Sequence, residues 1–180
     1  MTKRRLFVAV ALDDAARAAC AATAEQLRAK GFDGRFVAPE NYHLTVAFLG
    51  GVDEERVAEV GGTLERLAPE LAPLRVPLDA VGAFPNEKRP RVAWAGPARA
   101  VPAFGTLCGV VRSHLAAMGF TFDSHADPHV TLARASGERP LPTVAPPLDV
   151  AVAVDALVLY ESRTLPDGAR YEPLARVPLG

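Results

Sequence analysis

The sequence predicts a mixed fold of helices and strands built as two related lobes, and three observations carry that expectation. Strand-like apolar runs alternate along the chain with Ala-rich or amphipathic helical segments. The order strand, helix, loop, His-x-Thr occurs twice, the second copy displaced by 86 residues at the His-x-Thr step. The 180 residues, 49% hydrophobic and 23% charged, suffice for one domain or for two small lobes sharing a core.

Leu6 to Leu12 reads as a strand, because Phe7, Val8 and Val10 suit a buried sheet. Asp13 is placed to cap an Ala-rich helix that runs to about Lys30 and stops at Gly31. A loop through Pro39 leads to a strand from Tyr42 to Leu49, closed by Gly50-Gly51, and Asp53 opens a second helix to about Leu67. Leu74 to Val81 and Arg91 to Ala95 read as paired strands joined by the polar turn Pro85 to Pro90. Val101 to Met118 has helical spacing and ends at Gly119. His129 to Ala133 is a short strand and Val150 to Tyr160 a longer one. Tyr171 to Val177 is the last, reached through the turn Pro166-Asp167-Gly168. Phe7 precedes His43 by 36 positions and Trp94 precedes His129 by 35, so the flanking elements recur along with the motif. A duplication accounts for both.

Composition sets limits on function. Lys+Arg 20 against Asp+Glu 21 leaves a formal charge of -1, so no bulk attraction to nucleic acid or anionic membrane is expected, and any phosphate must be held by a local site. No uncharged apolar run approaches the roughly 18 residues of a membrane helix. Lys3-Arg4-Arg5 before Leu6 to Leu12 has the charge order of a secretion signal, but the apolar run is short and stops at Asp13-Asp14, as a strand would. Cys20 and Cys108 are far apart and inside helical segments, which reads as two reduced, buried thiols in a cytoplasmic protein.

The chemistry lies in the repeat. Residues two apart on a strand share a face, so His43 and Thr45 point one way while Leu44 and Val46 anchor the other. His129 with Thr131 repeats the pattern against Val130 with Leu132. If the lobes pack around a pseudo-twofold axis, two imidazoles and two hydroxyls face one cleft. In-line displacement at phosphorus needs a proton removed on one side and delivered on the other, and histidine suits both tasks near neutrality. The threonine hydroxyls are suited to donate to the non-bridging oxygens. No metal or other cofactor is required by this division of labour.

Paired His-x-Thr-hydrophobic motifs in a chain of this length resemble the two-histidine (2H) phosphoesterase superfamily, and within it the bacterial and archaeal RNA 2′,3′-cyclic phosphodiesterases, also called 2′-5′ RNA ligases. The resemblance covers Arg5 to Leu12, Asn41 to Gly50, Asp127 to Arg134, and the tail from Leu157 through Ser162 to Tyr171-Glu172-Pro173-Leu174. It implies a bilobal α+β fold with pseudo-twofold symmetry, two antiparallel sheets flanked by helices around a central groove, in one domain of two intertwined lobes spanning residues 1–180. It implies metal-independent hydrolysis of RNA-terminal or nucleoside 2′,3′-cyclic phosphates to a 2′-phosphate, with His43 as proton donor to the leaving 3′ oxygen and His129 as the base for water. Thr45 and Thr131 would bind phosphate. RNA termini or cyclic nucleotides would be the partners, with no membrane involved, and the chain would act as a monomer.

The alternatives are 2′-5′ ligation, in which a ribose hydroxyl replaces water, a nucleotide- or RNA-binding module without turnover, and a metal-dependent hydrolase. For the last, His125 and His129 with Asp123 or Asp127 would have to supply the ligands, and Pro128 argues against the helix that would align them. His114 reads as structural or solvent-facing. Arg134 lies five residues past His129 and on an ideal strand faces away from it; only a bulge or a strand end brings it to substrate, although the family often carries a basic residue there. Lys88, Arg89 and Arg91 read as a solvated turn. Phe7, Trp94 and Phe48 are expected in the core, with Tyr42, Phe84 and Tyr160 as candidates to stack a base.

Overall fold

All the strands pair antiparallel, in two four-stranded sheets and one two-stranded ribbon, among the residues that the structure, a computed structural model, describes: 2–123, 126–147 and 149–180. The order is β1 (Lys3–Ala11), α1 (Asp14–Ala29), β2 (Gly34–Phe36), β3 (His43–Asp53), α2 (Val57–Leu67), β4 (Leu74–Pro77), β5 (Ala80–Phe84), β6 (Val92–Gly96), α3 (Pro102–Ala116), β7 (Val130–Ala135), β8 (Ala151–Val154), β9 (Ala156–Leu165) and β10 (Gly168–Pro178). One sheet runs β10-β9-β1-β3, the other β2-β7-β6-β5, and β4 pairs with β8.

The duplication is visible in the ladders. Strands β9-β1-β3 and β5-β6-β7 are equivalent triplets, with a central strand beside each His-x-Thr strand. The helices cross over: α1 packs on β7 and α3 on β3, so each helix reaches the motif strand of the other half. Asp13 caps α1 as expected, its Oδ1 accepting from the Ala16 N–H at 2.8 Å, and Gly31, at φ +79°, ends it. The buried stripe of α1 is Ala16, Cys20, Thr23, Ala24 and Leu27. Burial raises both thiols, at Cys20 and Cys108, to about 12, which keeps them protonated and unreactive. Across the other sheet Arg4 grips Glu161 with two hydrogen bonds of 3.0 and 2.7 Å, tying β1 to β9 and holding the Glu161 carboxyl down at about 2.

Each motif strand carries a bulge at the same repeat position. In β3, Thr45 pairs with Ala9 and Ala47 with Val8, leaving Val46 extra. In β7, Thr131 pairs with Trp94 and Ala133 with Ala93, leaving Leu132 extra. Both extra residues are fully buried, as are their successors, so the alternation of faces slips by one just past each Thr.

Four expectations differ from the structure. The run Leu74 to Val81 is two strands, β4 and β5, that part at Leu78-Asp79 and enter different sheets. The run Val150 to Tyr160 is likewise divided at Asp155 into β8 and β9. The helix expected from Asp53 begins as a single 3₁₀ turn, Glu54 to Arg56, and the α-helix follows from Val57; Asp53 makes no side-chain cap. Strand β2 falls where a loop was expected. No helix among the described residues is long and apolar enough to cross a membrane.

Candidate active site

The bulged strands place both His-x-Thr pairs on the walls of one cavity of about 210 Å³, where His43 and Thr45 from β3 meet Thr131 from β7 and His129, the residue just before it. Their alternates, Leu44, Val46, Val130 and Leu132, are fully buried, so the core fixes which way each polar pair points.

The two imidazoles are held alike. His43 Nδ1 lies 2.7 Å from the Asn41 carbonyl, and His129 Nδ1 lies 2.9 Å from the Asp127 carbonyl. A carbonyl only accepts, so each ring donates through Nδ1–H and the neutral tautomer presents Nε2 as a base. In both copies the carbonyl sits two residues before the histidine, ahead of the strand. At His43, Nε2 is 3.0 Å from Thr45 Oγ1, whose hydroxyl donates to it when the ring is neutral. The Thr131 hydroxyl makes no hydrogen bond among the described residues.

Burial, aided by nearby positive charge, lowers the proton affinity of both rings. Burial depresses the His43 pKa below its ordinary 6.5; the bond to Asn41 opposes this, and the positive charges of His129 and Arg134 add to the depression. His129 is lowered by burial first, against the opposing effects of its bond to Asp127 and the Asp127 carboxylate, with Arg134 lowering it further. If the two rings act as acid and base, the pair works while it holds one proton between them, and that proton is lost below the ordinary histidine value. We therefore expect kcat/KM to fall above a pH that lies on the acidic side of 6.5. The falling limb of kcat should lie at higher pH, since an anionic phosphate between the rings stabilises the imidazolium. Separate pH profiles of kcat and kcat/KM check the order of the two limbs.

Arg134 lines the same cavity. The Leu132 bulge supplies the extra residue that returns position 134 to the face of His129 and Thr131, the condition that the sequence left open. The equivalent bulge in β3 does the same for Phe48, the residue at Arg134's position in the first copy. Phe48 is therefore 47% exposed at the cavity, not in the core, with the Arg5 guanidinium 5.0 Å from its ring centroid. Among the described residues the cavity lining includes Arg5 and Arg134 but no carboxylate, so the site favours an anion.

Aromatic rings pack against each imidazole. Phe7 is buried as expected, yet it also lines the cavity, 5.0 Å from His43 and 5.3 Å from Tyr160, which stacks beside it. Tyr171 from β10 stands edge-on to both His43 and Phe7, at 5.3 and 4.9 Å. At the other imidazole Phe84 stands edge-on to His129 at 5.0 Å, with Trp94 a further 5.4 Å away. Trp94 is half-buried and not a core residue, because it pairs with Thr131 on the cavity face of β6. Tyr42 is buried, 4% exposed, and cannot receive a base.

Sequence reasoning missed Arg5, Asn41 and Tyr171. Arg5 shares a face with Phe7 by strand alternation, a signal available once Phe7 is known to face the cavity; Tyr171 arrives from a distant hairpin and carries no local sign. Of the alternative metal set, His125 lies outside the described residues, and no cluster of three or more potential ligands occurs among those described. His114 is exposed, its Nδ1 3.0 Å from the Val110 carbonyl. Lys88 and Arg89 lie exposed in a turn whose backbone N–H groups donate to Asn86 Oδ1.

A cleft with paired imidazoles, two hydroxyls and arginines on twin antiparallel sheets defines a phosphoesterase architecture, and comparison with known proteins agrees. Residues 10–94 match the LigT like Phosphoesterase family. Solved structures similar to this chain include Escherichia coli LigT in complex with 3′-AMP, at TM-score 0.79 and 31% identity over 98% of each chain. A second solved structure, TT0787 of Thermus thermophilus, matches at TM-score 0.82 and 32% identity over 97% of each chain. Curated relatives named RNA 2′,3′-cyclic phosphodiesterase include one from Thermotoga maritima, 30% identical over 94% of this chain and 92% of the relative. Another, from Thermus thermophilus, is 36% identical over 97% of this chain and 90% of the relative. The chain belongs to the LigT-like phosphoesterases of the 2H superfamily, which makes it a phosphodiester hydrolase by family.

Proposed function

We propose that this chain opens 2′,3′-cyclic phosphates, at RNA ends or on nucleosides, to 2′-phosphates without a metal, using His43 as acid and His129 as base. The observation that carries the reading is the convergence of two equivalently held imidazoles, each with a threonine hydroxyl beside it, on one cavity whose described lining holds arginines and no carboxylate. The names of the curated relatives supply the substrate class.

Water attacks phosphorus in line with the 3′ oxygen while His129 Nε2 takes its proton. The P–O3′ bond breaks, and protonated His43 delivers its Nε2 proton to O3′, so one water is consumed and a 2′-phosphomonoester with a free 3′ hydroxyl is formed. Thr131 donates to a non-bridging oxygen. Thr45 rotates away from His43 to donate to the other, which also frees the His43 Nε2–H for the leaving group. Arg134 offsets the charge that accumulates on those oxygens.

The test is to incubate the protein with 2′,3′-cyclic nucleotides in excess chelator and identify the product. A 2′-monophosphate formed at the same rate with and without chelator is the expected result. A 3′-monophosphate, loss of turnover in chelator, or tight binding with no product would each overturn the proposal.

A further inference from the structure

We infer that Arg35 is a second phosphate-binding arginine, which takes the phosphodiester next to the terminal cyclic phosphate, so that the site is built for the end of an RNA strand in preference to a mononucleotide. The inference rests on the proposed function and deepens it.

Arg35 lies directly opposite Arg134 in the β2–β7 ladder. Residues so paired share a face with their Cβ atoms about 5 Å apart, and like charges in that position destabilise a sheet. Neither guanidinium forms an ion pair among the described residues. The repulsion is thus left uncompensated in the protein alone, and an anion between the two groups would relieve it.

The strand itself is set tightly. A Cβ on Gly34 would come within 2.7 Å of the Arg134 carbonyl oxygen and 2.9 Å of the Phe32 ring, so β2 lies against β7 only because that position has no side chain. The ladder is extended on one side by Val37 N–H to the Leu132 carbonyl, 2.9 Å, and on the other by Ser136 N–H to the Asp33 carbonyl, 3.0 Å. Val37, two residues past Arg35 and on its face, lines the catalytic cavity, while Phe36 between them turns away beneath the Arg28 guanidinium. Arg35 therefore stands on the exposed rim of the cavity, beside the arginine that reaches into it.

The stoichiometry of charge selects the ligand. A cyclic mononucleotide brings one phosphate, which the histidines, threonines and Arg134 surround. An RNA end brings a second phosphate one nucleotide back, outside the cavity, where a cation on the rim is placed to meet it. A chain whose net charge is -1 has no general field to hold that strand, so a placed arginine carries the contact.

The test compares cytidine 2′,3′-cyclic phosphate with a short RNA ending in a 2′,3′-cyclic phosphate, in the wild-type protein and in Arg35→Gln and Arg35→Lys. For Arg35→Gln the loss of kcat/KM on RNA should exceed that on the mononucleotide by about tenfold, the low end for losing a charge-assisted hydrogen bond. The slope of log kcat/KM against log salt should become shallower by about 0.7 on RNA. The midpoint of thermal unfolding should not fall, since a like-charge pair has been removed. Arg35→Lys keeps the charge and should keep the salt slope. Equal losses on both substrates, or a lowered unfolding midpoint with no change in salt slope, would overturn the inference while leaving the proposed reaction standing. A wild-type protein that cleaves neither substrate would instead refute the reaction, and the inference falls with it.

Discussion

Replacing His129 with alanine is expected to lower kcat for a 2′,3′-cyclic nucleotide by about 10²- to 10⁴-fold with a much smaller change in KM. In the proposed reaction the imidazole acts on a proton that moves only in the transition state, so its loss leaves ground-state binding by the threonines and Arg134 largely in place. His43→Ala should fall in the same range, and the double variant should cost far less than the product of the two, because a displacement deprived of either proton carrier no longer proceeds by the concerted route. The two roles separate on a phosphodiester whose leaving group is already acidic, such as nitrophenolate, which needs no proton to depart. On that substrate His43→Ala should recover most of its loss and His129→Ala should not. Equal losses for both variants would remove the assignment of acid and base, and circular dichroism spectra matching the wild type would confirm that the fold persists.

The second large effect is expected at Thr131. Its hydroxyl is uncommitted among the described residues and faces the cavity, so in the proposed reaction it donates only to phosphate. Thr131→Val keeps the branched side chain that the strand favours and should lower kcat/KM by about 10²- to 10³-fold, the range for deleting one donor to a developing oxyanion. Most of that loss should fall on kcat, with a share on KM because a cyclic phosphate is charged before reaction begins. Thr45→Val should lose a comparable amount and in addition shift the falling limb of the pH profile, because its hydroxyl is bonded to His43 Nε2. Thr131→Val has no such bond to break and should leave that limb in place. Steady-state kinetics across pH on both variants distinguishes these outcomes.

The central site was legible because its signal is local: His-x-Thr on a strand puts two polar groups on one face, and an offset of 86 residues repeats them. Arg134 needed the parity of the strand, and the parity changes at a bulge. A written sign of that bulge is the buried pair after each Thr, Val46-Ala47 and Leu132-Ala133, where strict alternation would put one apolar residue. The same slip accounts for the misplacement of Phe48. The parting of β4 from β5 and of β8 from β9 depends on which sheet each half joins, a tertiary choice that Pro77 and Asp155 mark only as irregularities. Strand β2 is three residues long, too short for any period to register, and Arg35 was invisible with it.

The crossing of α1 and α3 onto each other's motif strands governs how a ligand gets in. Prising the halves apart would strip the apolar stripes of both helices from their seats at once, so the molecule has no inexpensive way to gape. The separation of the two imidazoles is then a property of the interlocked scaffold, held before any ligand arrives, and in the proposed reaction an RNA end threads in along the rim instead of being closed upon.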